Sequence, residues 1–480
     1  MNRKMVLNTV GKIAMADAAF LFMPFIVGVM YKEKDALSFA VTAVISLFIG
    51  MLLKAVSNTS NKTIYVKEGF TIVAFAWLYM SAIGALPLYF GGTTSSYIDA
   101  FFEIVSGFTT TGASILTDVE SVSHGALFWR SFSNWIGGMG VLVFVMALLP
   151  NIADRSINIM RAEMPGPVVG KIVPRARDTA KILYLIYIGL TALLFLLLVL
   201  GDMPVFDGLL HSFSTAGTGG FGVKNNSIGG YTPYHQWVIT VFMFIFGTNF
   251  NLYYLLLIRR FKPVFKSTEL RFFICIVISS VAVICVNTYS IFGNINDTVR
   301  HVSFQTLSIV STSGFSTVDF NEWPLLSKSI LLLLMFFGGC AGSTAGGIKI
   351  SRIVILIRAS AREFGKMLHP HSVRTVKMEG KTLDEQTLSG VTSYLVVYVA
   401  CFLLIYFVLC FESFDFETNF SAAMACFNNV GPGFSLVGPA SNYSQYSGFS
   451  KAVLSFAMLL GRLEIFPLIL GLNPLNWKHK

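Results

Sequence analysis

The segment TTTGAS at Thr109–Ser114 is the first of four glycine-centred segments that decide the fold of this chain. The other three are STAGTGGF at 214–221, STSGFST at 311–317 and NNVGPGF at 428–434. Each follows a short amphipathic run and precedes a long apolar stretch, so one unit of helix, half-helix, loop and helix occurs four times. Glycine allows the backbone conformations that aim carbonyl oxygens at an ion, and a cation filter needs a ring of such loops. The pattern predicts one pore formed by four repeats.

The register of the repeats follows from residues at matched distances from one glycine in each copy. Three polar residues stand nine positions before such a glycine: Glu103 before Gly112, His211 before Gly220 and Gln305 before Gly314. This agreement favours Gly220 over Gly217 in the second copy. In the fourth copy we choose Gly431, and Gly433 stays open. The predicted filter residues are Thr110, Thr111, Gly112, Thr218, Gly219, Gly220, Thr312, Ser313, Gly314, Asn429, Val430 and Gly431.

The composition is that of a polytopic membrane protein, since 54% of the residues are hydrophobic and only 12% are charged. Soluble domains carry about 25% charged residues. A membrane-spanning helix needs about 20 apolar residues. Runs of that kind predict ten crossings, near 8–30, 36–57, 68–91, 124–149, 178–201, 233–258, 270–292, 325–358 (interrupted), 388–411 and 448–472. Four shorter runs are predicted to form pore half-helices, near 97–108, 206–216, 300–311 and 416–427.

The predicted fold is therefore all-α, with four M1-P-M2 repeats, as in potassium channels, around one pore. The domains are an N-terminal two-helix unit at 1–60 and repeats at 61–160, 161–265, 266–380 and 381–480. The filters lie at 109–114, 214–221, 311–316 and 428–434.

Lysine and arginine predict the orientation. They concentrate in the connections 150–177, 259–271 and 349–381, which are cytoplasmic by the positive-inside rule. Both termini are then cytoplasmic, and all four filter loops lie on the outer side. The net charge of +10 follows from this topology and gives no indication of nucleic-acid binding. We expect acidic residues of the outer loops to concentrate cations at the pore mouth; these are Asp99, Glu103, Asp118, Glu120, Asp207, Asp319, Glu322, Glu412, Asp415 and Glu417.

The sequence GGCAGSTAGGI at 338–348, here called the glycine loop, interrupts a crossing of the third repeat. Each of its five glycines costs a helix about 1 kcal/mol relative to alanine, so the helix should break. A broken backbone at membrane depth must line a cavity, which predicts a loosely held gating loop under the filter. The alternative is close helix packing through small residues. The predicted gate residues are Gly338, Gly339, Gly342, Ser343, Gly346, Gly347, Lys349 and Arg462.

Two charged residues lie inside apolar runs. Arg462 should face the pore, because an arginine at a helix centre costs about 2.5–3.5 kcal/mol on insertion scales. It would then oppose cations below the filter; alternatively it forms a structural ion pair with Glu464 or another acid. Asp17 is predicted to be a hydrogen-bonding group between helices.

Other function classes explain the sequence less well. No H-E-x-x-H, G-x-S-x-G or phosphate-loop motif occurs, so we predict no enzymatic activity and no covalently bound cofactor. A secondary transporter with rocking inverted repeats would account for the interrupted crossing. It would not account for four filter loops of the same orientation.

Five motifs resemble those of the TrkH/TrkG family of bacterial potassium-uptake subunits, within the Trk/Ktr/HKT superfamily. They are SGFTTTGAS at 106–114, RAEMPGP at 161–167, GGCAGSTAGG at 338–347, FNNVGPG at 427–433 and GRLE at 461–464. The resemblance implies a homodimer in the bacterial inner membrane, among lipids, with K+ bound in a filter of four glycines, as in potassium-selective members. It also implies gating at the glycine loop under control of a cytosolic TrkA-like protein that binds the nucleotide, ATP/ADP or NAD/NADH. The sequence leaves open which nucleotide acts and whether H+ or Na+ is coupled.

Overall fold

The fold is all-α in this computed structural model, which describes residues 2–57, 66–140 and 176–473. The N-terminal unit consists of α1 (Arg3–Met30) and α2 (Ala36–Val56). The two helices approach closely at Gly50, where a Cβ atom would lie 2.8 Å from the Gly11 carbonyl oxygen. Ser46 of α2 donates a hydrogen bond to the buried Asp17 carboxylate of α1 at 3.3 Å, which confirms the role predicted for Asp17.

Each of the four repeats begins with a long helix followed by a half-helix. The long helices are α3 (Val66–Phe90), α6 (Ala176–Leu200), α11 (Thr268–Phe292) and α15 (Glu385–Leu409). The half-helices are α4 (Tyr97–Phe108), α7 (Val205–Gly217), α12 (Ile295–Val310) and α16 (Phe416–Phe427). The half-helices begin at or within five residues of the predicted positions. Three of them start at a side-chain cap, as where the Ser96 hydroxyl accepts from the Asp99 amide.

The second helix of the last three repeats is broken. Residues 337–349 separate α13 (Leu325–Phe336) from α14 (Ile350–Leu368), as predicted. The predicted continuous crossings at 233–258 and 448–472 are wrong in detail. The first is α8 (Pro233–Phe246) and α9 (Phe250–Leu257), bent by 92°; the second is α17 (Gly448–Arg462) and α18 (Phe466–Leu472), bent by 115°. Glu464 and Ile465, with φ of 56° and 61°, leave the helical conformation at the second bend.

The remaining elements are short. In the first repeat the second helix is α5 (His124–Gly138), and the chain after Gly140 lies outside the described residues. The basic connection 150–177 and the RAEMPGP motif also lie outside them, apart from the first residues of α6. On the side of the basic connections lie α10 (Phe261–Lys266) and a hairpin of β1 (Lys377–Met378) and β2 (Lys381–Thr382), in which Lys377 pairs with Thr382.

The described helices fit a multi-pass membrane protein. Six are long and apolar enough to cross a membrane, and eight crossings result if each of the two bent pairs is one span. The helix interrupted by the glycine loop and α5 complete the predicted set, although α5 is described only to Gly138.

The repeats follow one another around a closed ring. In every repeat the second helix packs against the half-helix of the next repeat: α5 against α7, α8 against α12, α13 against α16, and α17 against α4. The last of these contacts joins the fourth repeat to the first. Four equivalent units thus enclose one axis, and their half-helices end where the glycine-centred segments begin.

Candidate functional site

The four glycine-centred segments share one backbone conformation. In each, a glycine with positive φ stands two positions after a residue that also has positive φ. A positive φ is uncommon for a residue other than glycine. The pairs are Thr110 (55°) and Gly112 (80°), Thr218 (56°) and Gly220 (69°), Thr312 (57°) and Gly314 (77°), and Asn429 (56°) and Gly431 (99°). Gly217 ends α7, and neither it nor Gly433 has a positive φ. Gly112, Gly220, Gly314 and Gly431 are therefore structurally equivalent and are called the ring glycines.

The ring glycines contact one another's segments in a closed circle. At each of them a Cβ atom would collide with the carbonyl oxygen of the residue that precedes the next ring glycine. The distances from the Cβ position to the carbonyl oxygen are 2.1 Å for Gly112 and Gly219, 1.9 Å for Gly220 and Ser313, 2.3 Å for Gly314 and Val430, and 2.5 Å for Gly431 and Thr111. Real Cβ atoms essentially never approach closer than 3.0 Å. A side chain at any of the four positions would collide with the neighbouring carbonyl oxygen, so this close circle requires glycine or a shift of the backbone.

A cavity of about 160 Å³, here called the vestibule, adjoins the circle, and all four ring glycines line it. Two basic residues, Arg130 and Lys224, are the charged residues of its described lining. The Arg130 guanidinium lies 4.2 Å from the centre of the Phe221 ring. None of the acids predicted at the pore mouth is among the described lining residues, and their effect on the local cation concentration stays a prediction.

Three of the predicted mouth acids bind protein groups. Asp99 accepts a hydrogen bond from Lys451 Nζ at 2.6 Å, and the Asp415 carboxylate caps α16. Asp118 Oδ1 accepts from Asn225 Nδ2 at 2.9 Å, and this hydrogen bond lowers the pKa of Asp118. Asn225 lines the vestibule, so Asp118 lies directly beside it.

The residues nine positions before the ring glycines are fully buried. Glu103 forms an ion pair with Arg130 at 2.7 Å and accepts from the Ile115 amide at 2.9 Å. Gln305 Nε2 donates to the Val318 carbonyl at 3.2 Å. In these two repeats the matched residue supports the chain that follows the ring glycine.

The glycine loop is closed at its neck and is held by many hydrogen bonds. Gly338 N donates to the Ile348 carbonyl at 2.9 Å, and a Cβ atom on Gly338 would lie 1.9 Å from the Gly346 oxygen. Cys340 N donates to the Gly247 carbonyl at 2.9 Å, within the bend between α8 and α9. The expectation of a loosely held loop is therefore wrong, because the glycines permit close backbone contacts that fix its position.

The same loop lies against the ring segments. Gly346 N donates to Thr312 Oγ1 at 2.7 Å. A Cβ atom on Gly346 would lie 2.6 Å from the Asn428 oxygen. The loop thus touches the third and fourth segments on the side where their half-helices end.

Arg462 joins the glycine loop to the first repeat. Its guanidinium donates to the Thr344 carbonyl at 2.7 Å and to the Gly137 and Gly138 carbonyls at 2.6 Å each. Its neighbour Glu464 accepts from Arg352 Nη1 at 3.0 Å in an ion pair.

Lys349 is 2% exposed and donates to the Gly346 oxygen at 3.3 Å. Arg462, Lys349 and Glu464 line a second cavity, of about 30 Å³, together with Gly342, Ser343, Gly346 and Gly347. One water needs roughly 10–15 Å³. The structure thus brings together six of the eight predicted gate residues around a narrow space, with Gly338 and Gly339 at the neck of the loop.

The sequence interpretation missed the residues that hold this arrangement. Arg352 and Glu269 each bind a partner distant in the chain, and the only signal for either was a charge at the start of an apolar helix. Within the described residues no group of three His, Cys, Asp or Glu side chains could hold a metal ion. Ligands for a cation on this axis would be backbone and hydroxyl oxygens.

The fold and the ring define a membrane protein of the pore type, with four M1-P-M2 repeats in a single chain. The model of the TrkH family, described as "Cation transport protein", matches residues 37–475, and the chain belongs to this family. It is 35% identical to the Trk system potassium uptake protein TrkH of Salmonella typhimurium over 100% of both chains. It is also 35% identical to TrkG of Escherichia coli K12 over 95% of this chain and 94% of that protein.

A solved structure shows the same fold. The crystal structure of the potassium transporter TrkH from Vibrio parahaemolyticus superposes with a TM-score of 0.89, at 31% identity and with 100% of both chains covered. The family transports cations, so the chain is a transport protein and not an enzyme in the usual sense.

Proposed function

We propose that this chain is the potassium-selective, ion-conducting membrane subunit of a Trk-type potassium uptake system. The closed circle of ring glycines and carbonyl oxygens carries this proposal. Rings of backbone carbonyls replace the hydration shell of K+ in potassium filters. All four positions carry glycine, and the relatives above are named potassium uptake proteins or a potassium transporter. The twelve predicted filter residues would bind K+ on this axis.

The test is ion flux through the purified full chain in liposomes. With K+ as the only ion gradient, a pore predicts flux that follows the electrochemical gradient of K+ and saturates only at high concentration. A coupled transporter predicts that flux requires a H+ or Na+ gradient as well. Protein-free liposomes and a Na+ gradient are the controls. Folded protein that passes Na+ and K+ equally would contradict potassium selectivity.

The glycine loop and Arg462 are proposed to form the gate. The loop lies against the third and fourth ring segments, and Lys349 and Arg462 line a narrow cavity beside it. The positive charges of these two side chains would repel a permeating cation. A cytosolic nucleotide-binding regulatory protein of the TrkA type would shift the loop between blocking and open positions. A shift from 1:99 to 99:1 needs about 5.5 kcal/mol of differential binding, which a protein interface can supply.

Shortening the loop by removal of Gly339–Gly346 should give high K+ flux that no longer responds to the regulatory protein. Arg462 would then lose its Thr344 contact while the ring segments keep their mutual contacts. A shortened protein that folds and keeps the wild-type response would show that the loop is not the gate.

The assembly and topology belong to the same proposal. We propose a homodimer in the bacterial inner membrane with both termini cytoplasmic; the exposed basic residues of 358–381 support this orientation. Light scattering of the purified protein measures the oligomeric state. Labelling of Cys introduced at Ser121 and at Val373 tests the topology, because the two sites should react from opposite sides. Reaction of both from the same side would contradict it.

A further inference from the structure

A single carboxylate oxygen holds both the glycine loop and the helix that follows it. Glu269 Oε1 accepts from the Ala341 amide at 2.7 Å and from the Ser351 amide at 3.0 Å. Glu269 is 5% exposed. The helix α14 has no side-chain cap of its own at Lys349, and its N-terminal amides favour a negative partner. Glu269, in the first turn of α11, therefore caps α14 from another helix.

The first turn of α11 is itself capped from another element. Glu379 Oε1 accepts from the Glu269 amide at 3.1 Å and from Ser267 Oγ at 3.1 Å. Glu379 lies at the turn of the β1–β2 hairpin and has a φ of 49°. Two carboxylates thus act in series: Glu379 caps α11 at the amide of Glu269, and the Glu269 side chain caps α14 and binds the loop.

The hairpin is attached to the membrane domain yet open to the cytosolic face. Val376 and Met378 are buried, and Arg358 of α14 donates to the Lys377 carbonyl. Glu379, Lys377 and Lys381 are exposed. A group that displaces the hairpin would therefore move the first turn of α11 together with Glu269.

We propose that the 377–382 hairpin is the input element through which the cytosolic face sets the position of the glycine loop, with Glu269 as the positioning residue. This inference rests on the gating role proposed above. The exposed Arg374, Lys377 and Lys381 indicate an acidic protein surface as the partner that engages the hairpin. Displacement of Glu379 loosens α11, and the shared oxygen of Glu269 transmits this change to Ala341 and Ser351 at once.

Amide hydrogen exchange of the full chain in nanodiscs tests the relay without any partner. In Glu269→Ala, exchange at Ala341 and Ser351 should be about ten to a hundred times faster than in the wild type. This ratio of rates corresponds to the loss of a hydrogen bond to a charged group. In Glu379→Ala, exchange at the same two amides should be about two to five times faster than in the wild type. This ratio of rates corresponds to the loss of an exposed charge at a helix N-terminus. Glu269→Gln keeps an acceptor oxygen and should remain near wild type.

Glu363→Ala is the matched control, because Glu363 is an exposed carboxylate of α14 that pairs with Arg362 and Lys366. It should leave exchange in the loop unchanged. If Glu379→Ala accelerates exchange only at 266–271 and 376–383, while Ala341 and Ser351 keep wild-type rates, the relay does not exist. This readout holds even if Glu269→Ala fails to fold.

K+ flux through the same variants in liposomes separates the relay from the gate. Higher flux in Glu379→Ala, with wild-type flux in Glu363→Ala, supports both. Faster exchange in the loop with unchanged flux supports the relay and contradicts the gating role of the loop. Wild-type protein that passes no K+ contradicts the proposed function, while the exchange experiment still decides the relay.

Discussion

Gly431 packs so closely on Thr111 that a Cβ atom on the glycine would lie 2.5 Å from the carbonyl oxygen of the threonine. The two residues belong to the fourth and the first repeat, and their contact closes the circle. The other three contacts of the circle join repeats that are consecutive in the chain. A change at any ring glycine therefore acts on two repeats at once.

Substitution of a ring glycine should impair selectivity. A side chain in Gly112→Ser would displace the Gly219 carbonyl, which lies 2.1 Å from the Cβ position. We expect Na+ permeation to rise relative to K+, measured as a bi-ionic flux ratio in liposomes. Gly189→Ser is the control, since nothing lies within 4 Å of its Cβ position. Unchanged relative permeability of folded Gly112→Ser protein would count against Gly112 as a filter residue.

The same substitution distinguishes the two glycines of the second repeat. Gly220→Ser should alter the ratio of Na+ to K+ flux, because its Cβ position faces the Ser313 carbonyl. Gly217→Ser would collide with the Asn134 oxygen of α5 at 2.2 Å and should mainly lower the Tm. The opposite pattern would assign the filter position to Gly217.

Removal of the Arg462 side chain should increase K+ flux. Arg462→Ala removes a positive charge and the hydrogen bonds to Thr344, Gly137 and Gly138. Each hydrogen bond to a charged group is worth about 1.5–3 kcal/mol, so the Tm should fall as well. Arg462→Lys keeps the charge with fewer donors and should give intermediate flux. A folded Arg462→Ala protein with wild-type flux would exclude Arg462 as a barrier.

Loss of the Glu103 carboxylate should destabilise the first repeat strongly. Glu103→Ala leaves Arg130 buried without its ion pair, which costs about 3–5 kcal/mol. Glu417→Ala is the control, because Glu417 pairs with Lys328 near the surface at 3.0 Å and such pairs contribute about 0–1 kcal/mol. Thermal unfolding in detergent measures both variants. Equal losses of Tm would contradict a supporting role for Glu103.

Acidification should weaken the contact between the α1–α2 connection and α5. Glu33 Oε1 accepts from the His124 amide at 2.7 Å, and Oε2 accepts from the Gly125 amide at 3.0 Å. Burial alone would raise the pKa of Glu33, but the hydrogen bonds from Gly125 and His124 outweigh it and lower the pKa below the ordinary 4.5. The stabilisation is therefore complete above about pH 4.5 and is lost as pH falls through the lower folded pKa.

The Glu33 side chain is 17% exposed, and a carboxylate at the first turn of a helix contributes about 0.3–1 kcal/mol. Tm measured across this pH range should fall more steeply for the wild type than for Glu33→Gln, which has no carboxylate to protonate. Parallel curves would show that Glu33 contributes nothing to the pH dependence of stability.

The half-helices and the broken third repeat could be predicted from local properties. Amphipathic runs too short to span, followed by glycine, predicted α4, α7, α12 and α16 to within a few residues. Five glycines between Gly338 and Gly347 predicted the break between α13 and α14, because helix propensity is a property of the local chain. The bends after Phe246 and Arg462 carry weaker local signals and were missed.

The partners of charged groups could not be predicted in this way. The sequence suggested Glu464 as a partner for Arg462 but gave no indication that Glu464 pairs with Arg352, 112 residues away. Four of the acids predicted at the pore mouth bind lysine, arginine, asparagine or helix amides. Charges pair with whatever packing brings within reach, and contacts between distant segments leave no trace in local composition.

The sequence by itself determined the class of the protein, the four repeats and the positions where the backbone must be glycine, because hydropathy, helix propensity and φ preference act within a few residues. Only the tertiary structure decided that the ring closes from Gly431 to Thr111, that the glycine loop is held in place by hydrogen bonds, and that Glu269 binds it from another helix. Those contacts depend on how helices that are far apart in the chain pack around one axis.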